Sequence, residues 1–161
     1  MRTIGNREAR RMFGRLRGLF GRKKQPTVSY NRIEEYERCR RNIMRIHHRV
    51  IVKSGELREV GLEDAVISSA AIDGLCDRIM DCPDWFSKAA IAIDYIANFH
   101  PFVEGNKRTS LELAIRLLRN GGYELDDDEA TYLFIRDVAS GMYDREEVED
   151  WLRRNSHISS L

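Results

Sequence analysis

The sequence predicts an all-α fold, a compact helical bundle around one buried helix, with a basic arm in front of it. Three observations carry this expectation. From Asn31 onward apolar residues return at three- and four-residue spacing in successive segments, and no stretch alternates apolar and polar residues for a useful strand length. The segment Ala89 to Phe99 is apolar nearly all round, as a helix at the centre of a bundle must be. Segment ends carry helix punctuation: Asp-x-x-Glu opens two of them, and Asn120-Gly121-Gly122 closes another.

The arm comes first. In Met1 to Lys24, Ala9, Met12, Phe13, Leu16, Leu19 and Phe20 recur at helical spacing, with Arg7, Arg10, Arg11, Arg17 and Arg22 on the other side. Gly5, Gly14, Gly18 and Gly21 each cost about 1 kcal/mol relative to Ala in a helix, so the arm is expected to stay unfolded until something covers its apolar face. Gln25-Pro26-Thr27 reads as a hinge, which divides the chain into an arm, 1–28, and a helical domain, 29–161.

In the domain, Ile33, Tyr36, Ile43, Met44, His47, Val50 and Ile51 share a face and predict one long helix ending before Gly55. Leu62, Ala65, Val66, Ile72, Leu75 and Ile79 predict a second, in one piece or two because Gly74 interrupts it, ended by Cys82-Pro83-Asp84. Ser87 is the expected cap of the central helix, and a fourth runs from about Asn106 to Arg119. Asp126-x-x-Glu129 and Asp144-x-x-Glu147 open the last two, and Gly122 to Leu125 is left as a candidate extended stretch.

Composition bounds what such a domain does. The 161 residues suffice for one domain with a real core, at 42% hydrophobic and 33% charged residues, and no apolar run approaches the roughly 20 residues of a membrane span. A net charge of +1 hides an asymmetry: residues 1–28 hold nine Lys/Arg and one acid, leaving 18 basic against 25 acidic residues in the rest. The arm suits an anionic membrane surface or intramolecular docking on the acidic body. With Phe13 and Phe20 its only aromatics and no base-reading motif, nucleic acid ranks below both. Cys39, Cys76 and Cys82 lack the paired spacing of a zinc site and read as buried or free thiols of a cytoplasmic protein.

The chemistry concentrates in His100-Pro101-Phe102-Val103-Glu104-Gly105-Asn106-Lys107-Arg108, a short loop and the first turn of a helix. A base, an acid, an amide and two cations stand where free N–H groups and the helix dipole favour an anion. The string resembles the signature of the Fic/Doc family, H-x-F-x-[D/E]-[G/A]-N-[G/K]-R, at every constrained position, and the likeness extends over roughly residues 31–155 in length and helix order.

The resemblance implies a role for each residue. His100 becomes the general base that takes a hydroxyl proton, where a lone helix-end His would otherwise read as a terminal charge or a packed ring. Glu104 is implied to hold Mg2+ bridging two phosphates, against the plainer reading of a solvated loop acid. Gly105 lets backbone approach a ligand, and Asn106 both caps the helix and gives its amide to a phosphate, against the plainer reading of capping alone. Lys107 and Arg108 supply a point charge and a forked donor for phosphate. Phe102 anchors the loop in the core, and losing a buried Phe costs about 3–5 kcal/mol.

Lys107, and Leu111 where a second Arg stands in Fic-type members, make the string similar to the Doc branch of toxins. That branch implies transfer of the γ-phosphate of ATP to a target protein, such as a translation elongation factor, and an antitoxin partner over the cleft. AMP transfer by the same site and a non-catalytic binding module are the rivals. Ser69-Ala70-Ala71-Ile72-Asp73-Gly74 is similar to the family's self-inhibitory motif with Asp73 in place of Glu, against an ordinary helix face. Of the pair His47-His48, His47 is expected in the core, since adjacent helical residues diverge and no spaced carboxylate completes a metal set.

Overall fold

The computed structural model describes residues 30–159, so the expectations for the basic arm lie outside the described residues. Among these there are six α-helices and one two-stranded sheet, the all-α architecture that the spacing predicts. None of these helices is long and apolar enough to cross a membrane.

Helix α1, Tyr30–Ser54, turns Ile43, Ile46, His47 and Ile51 inward. A 3-10 turn, Leu57–Glu59, follows, and α2 runs Ser69–Asp81 with the Ser68 side chain accepting from the Ala71 N–H. The second predicted helix is therefore shorter than expected. Leu62, Ala65 and Val66 belong to an irregular segment before it, where Val66 pairs with Phe102 in an isolated antiparallel bridge.

The central helix α3, Trp85–Phe99, buries Phe86, Ala89, Ala90, Ala92, Ile93 and Ile96. Its alanines let neighbours approach closely, and it touches α2 and, beyond it, α4 (Asn106–Asn120), α5 (Glu129–Ala139) and α6 (Arg145–Asn155). Its cap is Asp84, which accepts from the Ser87 N–H at 2.8 Å; Ser87, the expected cap, is the donor of that bond. A carboxylate at the cap also meets the positive helix end, which a hydroxyl does not.

Helix α4 stops at Asn120, and Gly122 takes φ +82°, the left-handed turn expected of that tripeptide. The chain then runs extended as β1, Tyr123–Leu125, which pairs antiparallel with β2, Ser156–Ile158, Tyr123 opposite Ile158 and Leu125 opposite Ser156. Three residues are too few to give a period of two, so β2 has no sequence signal. The fifth helix is capped by Asp128 accepting from Thr131, two residues later than the expected Asp126, whereas Asp144 and Glu147 form the reciprocal capping box of α6 as predicted.

Candidate active site

The loop between α3 and α4 is built around two unusual backbones. His100 caps α3 in the left-handed region, φ 41° and ψ 60°, with its N–H donating to the Ile96 carbonyl at 3.1 Å. It is the one non-glycine residue with positive φ among the described residues, and the strain costs of order 1–3 kcal/mol. That turn throws the imidazole out of the bundle, where it is exposed.

Gly105 has φ +76°, and a Cβ there would lie 2.8 Å from Ile51 Cδ1. Its lack of a side chain therefore serves a tight seat against α1. Gly105 also precedes α4 as its cap residue, and the first helical bond runs from the Thr109 N–H to its carbonyl at 2.9 Å. The N–H groups of Asn106, Lys107 and Arg108 precede that bond and are the free donors of a helix start.

Asn106 does not cap this helix. Its Oδ1 accepts from the Phe102 N–H at 3.1 Å and its Nδ2 donates to the Phe102 carbonyl at 2.7 Å, so one amide staples the loop at both ends. The residue sits one position inside the helix, where its side chain reaches back over the loop rather than to its own N–H. One amide hydrogen remains for another acceptor.

Phe102 is fully buried, the core anchor that its place in the string predicts. Its ring stacks on His47, and the segment before α2 pins its backbone neighbours. The Ile67 N–H donates to the Pro101 carbonyl at 2.8 Å, and the Val103 N–H to the Ala65 carbonyl at 3.2 Å. The loop is thus held from α1, from α4 and from the strand-like edge at Val66, while Val103 stays exposed and Glu104 half-buried between them.

The two cations diverge, as neighbours on a helix do. Lys107 is exposed. Arg108, its side chain 30% exposed, donates from Nη2 to Glu59 Oε1, and Glu59 is buried in the 3-10 turn with its second oxygen accepting from the Ser54 hydroxyl. Burial pulls the Glu59 carboxyl up, but the bonds from Ser54 and Arg108 and the Arg108 charge outweigh it and hold it below the ordinary range. Glu59 and Ser54 were not among the expected site residues. They lie 49 and 54 positions before Arg108, and a glutamate among charged neighbours carries no local signal.

Asp73 stands elsewhere. It pairs with Arg40 of α1, whose Nη2 also donates to Ser69 at 3.0 Å, and it helps burial push the Tyr36 phenol up to about 12. The carboxylate that meets the string's arginine is Glu59, so the contact that a self-inhibitory role for Asp73 needs is made by a different residue. Leu111, where a second arginine would stand, is 5% exposed and part of the core. Arg108 also borders a cavity of about 290 Å³ with Arg49, Lys53 and Asp127.

Compared with known proteins, residues 38–118, half of the chain, match the model of the Fic/DOC family. No curated protein gives a significant match.

Proposed function

The chain belongs to the Fic/DOC family, and from that premise we propose that it is a Doc-like enzyme that moves the γ-phosphate of Mg-ATP onto a hydroxyl of a target protein. Members of the family generally transfer nucleotide-derived groups to proteins, which supports a transferase. The phosphate reading rests on one observation above others. Lys107 follows Asn106, and the next turn of α4 offers the buried Leu111 in place of a second guanidinium, a departure from the pattern of AMP-transferring members that favours the phosphate reading.

In this reading the target hydroxyl oxygen attacks the γ-phosphorus as His100 takes its proton. The bond from oxygen to the γ-phosphorus forms, and the bond from that phosphorus to the β-bridging oxygen breaks. ADP leaves with the electron pair. The exposed, turned-out imidazole has room for a protein substrate. The free N–H groups of α4, with Lys107 and Arg108, meet the phosphates, and preorganised donors of this kind carry most of the stabilisation in phosphoryl transfer.

Among the described residues no cluster of three His, Cys, Asp or Glu forms a cage for a metal, while Glu104 offers one carboxylate beside the helix start. That donor set fits magnesium, which is commonly held by one or two carboxylates with phosphate oxygens and water. When bound there, the ion would neutralise phosphate charge. The likeness of the string to the Doc branch also favours a target in the translation machinery and an antitoxin over the cleft.

The test uses the purified chain and H100A in a translation-competent cell extract with γ-labelled and α-labelled ATP in parallel. Label on protein from the γ position only, lost in H100A, is the expected result. Label from the α position only makes the enzyme an AMP transferase, and label that H100A does not abolish removes the enzyme reading.

A further inference from the structure

The most deeply buried acid of the described residues, Glu59, has no part in the chemistry above. It is 1% exposed, and burying a carboxylate is costly unless it is paired and its remaining lone pairs are satisfied. Both conditions hold, with Arg108 on one oxygen and the Ser54 hydroxyl, itself 2.8 Å from the Ile51 carbonyl, on the other. The pair is lopsided: its glutamate end is dry and its arginine end reaches solvent. A guanidinium has five N–H donors in a rigid fork, so the Nη2 bond to Glu59 restrains one edge of it and leaves donors over at the accessible end.

A carboxylate on a phosphate-binding arginine could instead compete with phosphate. The surroundings of Glu59 argue against that. A competing group has to move away, and Glu59 sits in a turn closed by its own N–H to Glu56 (2.9 Å) and by the Leu62 N–H to its carbonyl (3.0 Å). The segment after it is bonded along Pro101 to Val103. With its backbone fixed by that turn, swinging the carboxylate out would break its bonds to both Ser54 and Arg108, and leaving it in place without Arg108 would strand a buried charge.

We propose that Glu59 is a positioning residue: it holds one edge of the Arg108 guanidinium so that the donors left over are presented to phosphate, and it ties that orientation to the segment clamping the His100 loop. The proposal rests on the reading of Arg108 as a phosphate ligand. It differs from it in consequence, because it concerns how the arginine is held before any ligand arrives.

The experiment compares wild type, E59Q, R108Q and E59Q/R108Q. Three quantities are read: the Kd for Mg-ATP by titration calorimetry, kcat and KM for transfer, and solvent exchange of the Arg108 Nη2 hydrogens, the ones that face Glu59, by NMR in the nucleotide-free protein. Thermal unfolding of each variant checks the fold. In E59Q, which keeps the shape and one acceptor but loses the charge, the Arg108 Nη2 hydrogens should exchange at least several-fold faster and the Kd should weaken about tenfold, as expected for a misplaced binding group. In the R108Q background the same change should alter Kd by no more than roughly twofold, because its effect passes through Arg108.

Tighter Mg-ATP binding or faster turnover in E59Q would make Glu59 a competitor and overturn the proposal. An equal loss with and without Arg108 would make it a fold residue only, with the same result. If wild type binds no nucleotide, the phosphate reading fails by itself, and the Arg108 exchange rates still decide: equal protection in wild type and E59Q sinks the positioning role.

Discussion

The His47 imidazole lies flat on the Phe102 ring, 3.8 Å between centroids and 8° between planes. Its Nε2 is 3.4 Å from the Leu62 carbonyl oxygen, which can only accept, so the proton belongs on Nε2 and the Thr109 hydroxyl donates to Nδ1 at 3.2 Å. A fully buried, neutral ring therefore supports the active-site loop from beneath, joining α1, the segment before α2, the loop itself and the first turn of α4.

This arrangement makes stability sensitive to acid. Burial, the larger effect, lowers the His47 pKa below its ordinary 6.5, with the carbonyl of Leu62 pulling the other way. With the folded pKa below the unfolded one, the unfolded chain binds more protons between the two. The stability that the neutral ring contributes is complete above about pH 6.5 and is lost as pH falls from there through the folded pKa. Melting temperatures from pH 8 to pH 5 should fall in wild type and fall less in His47→Gln, which keeps an amide donor and acceptor without titrating. Parallel curves for the two proteins would remove His47 as the cause.

Gly105→Ala tests the seat of the loop. The new methyl must adopt φ +76° and stand 2.8 Å from Ile51 Cδ1, so a loss of about 1–3 kcal/mol is expected in denaturant unfolding. Because Ile51 ends a flexible side chain, Gly105→Ala combined with Ile51→Val should recover part of that loss. No recovery would locate the cost in the backbone angle instead of the contact.

Asn106→Asp separates the loop staple from phosphate binding. The aspartate keeps an acceptor for the Phe102 N–H but sets a charged oxygen against the Phe102 carbonyl, where Nδ2 now donates at 2.7 Å. Leaving a buried carbonyl unpaired costs about 1–3 kcal/mol, so thermal stability should drop by an amount of that order before any nucleotide is added. A variant as stable as wild type that fails to bind Mg-ATP would give Asn106 back the direct phosphate role alone.

How far the sequence was legible follows the range of each interaction. Helix faces such as Ile43, His47 and Ile51, or Ala89 to Ile96, repeat within a few residues and are legible in order. The spacing of Leu62, Ala65 and Val66 suits a helix, while the backbone partner of Ala65 and Val66 is the loop at Phe102 and Val103, far along the chain. Where several candidate caps sit together, as in Asp126-Asp127-Asp128, only geometry selects the acid that reaches the third N–H, here Asp128. The string from His100 to Arg108 was plain as a list of groups. What each group grips, Asn106 on Phe102 and Arg108 on a glutamate 49 residues away, is a property of the packed chain.

His100 carries the sharpest conflict between folding and activity. Its left-handed backbone favours glycine, so His100→Gly should stabilise the protein by about 1 kcal/mol if the ring makes no compensating contact. Removing a general base should at the same time cost 10²- to 10⁴-fold in turnover, to order of magnitude. His100→Ala provides the comparison, since it loses the base but keeps the strained Cβ. The expected order of melting temperature is Gly above wild type with Ala close to wild type, while both variants lose activity alike. If His100→Gly is instead less stable than wild type, the imidazole is packed and the backbone is not where strain is stored. If either variant keeps wild-type turnover with its fold intact, the proton goes to another group, and the loop's tension at His100 serves the fold alone.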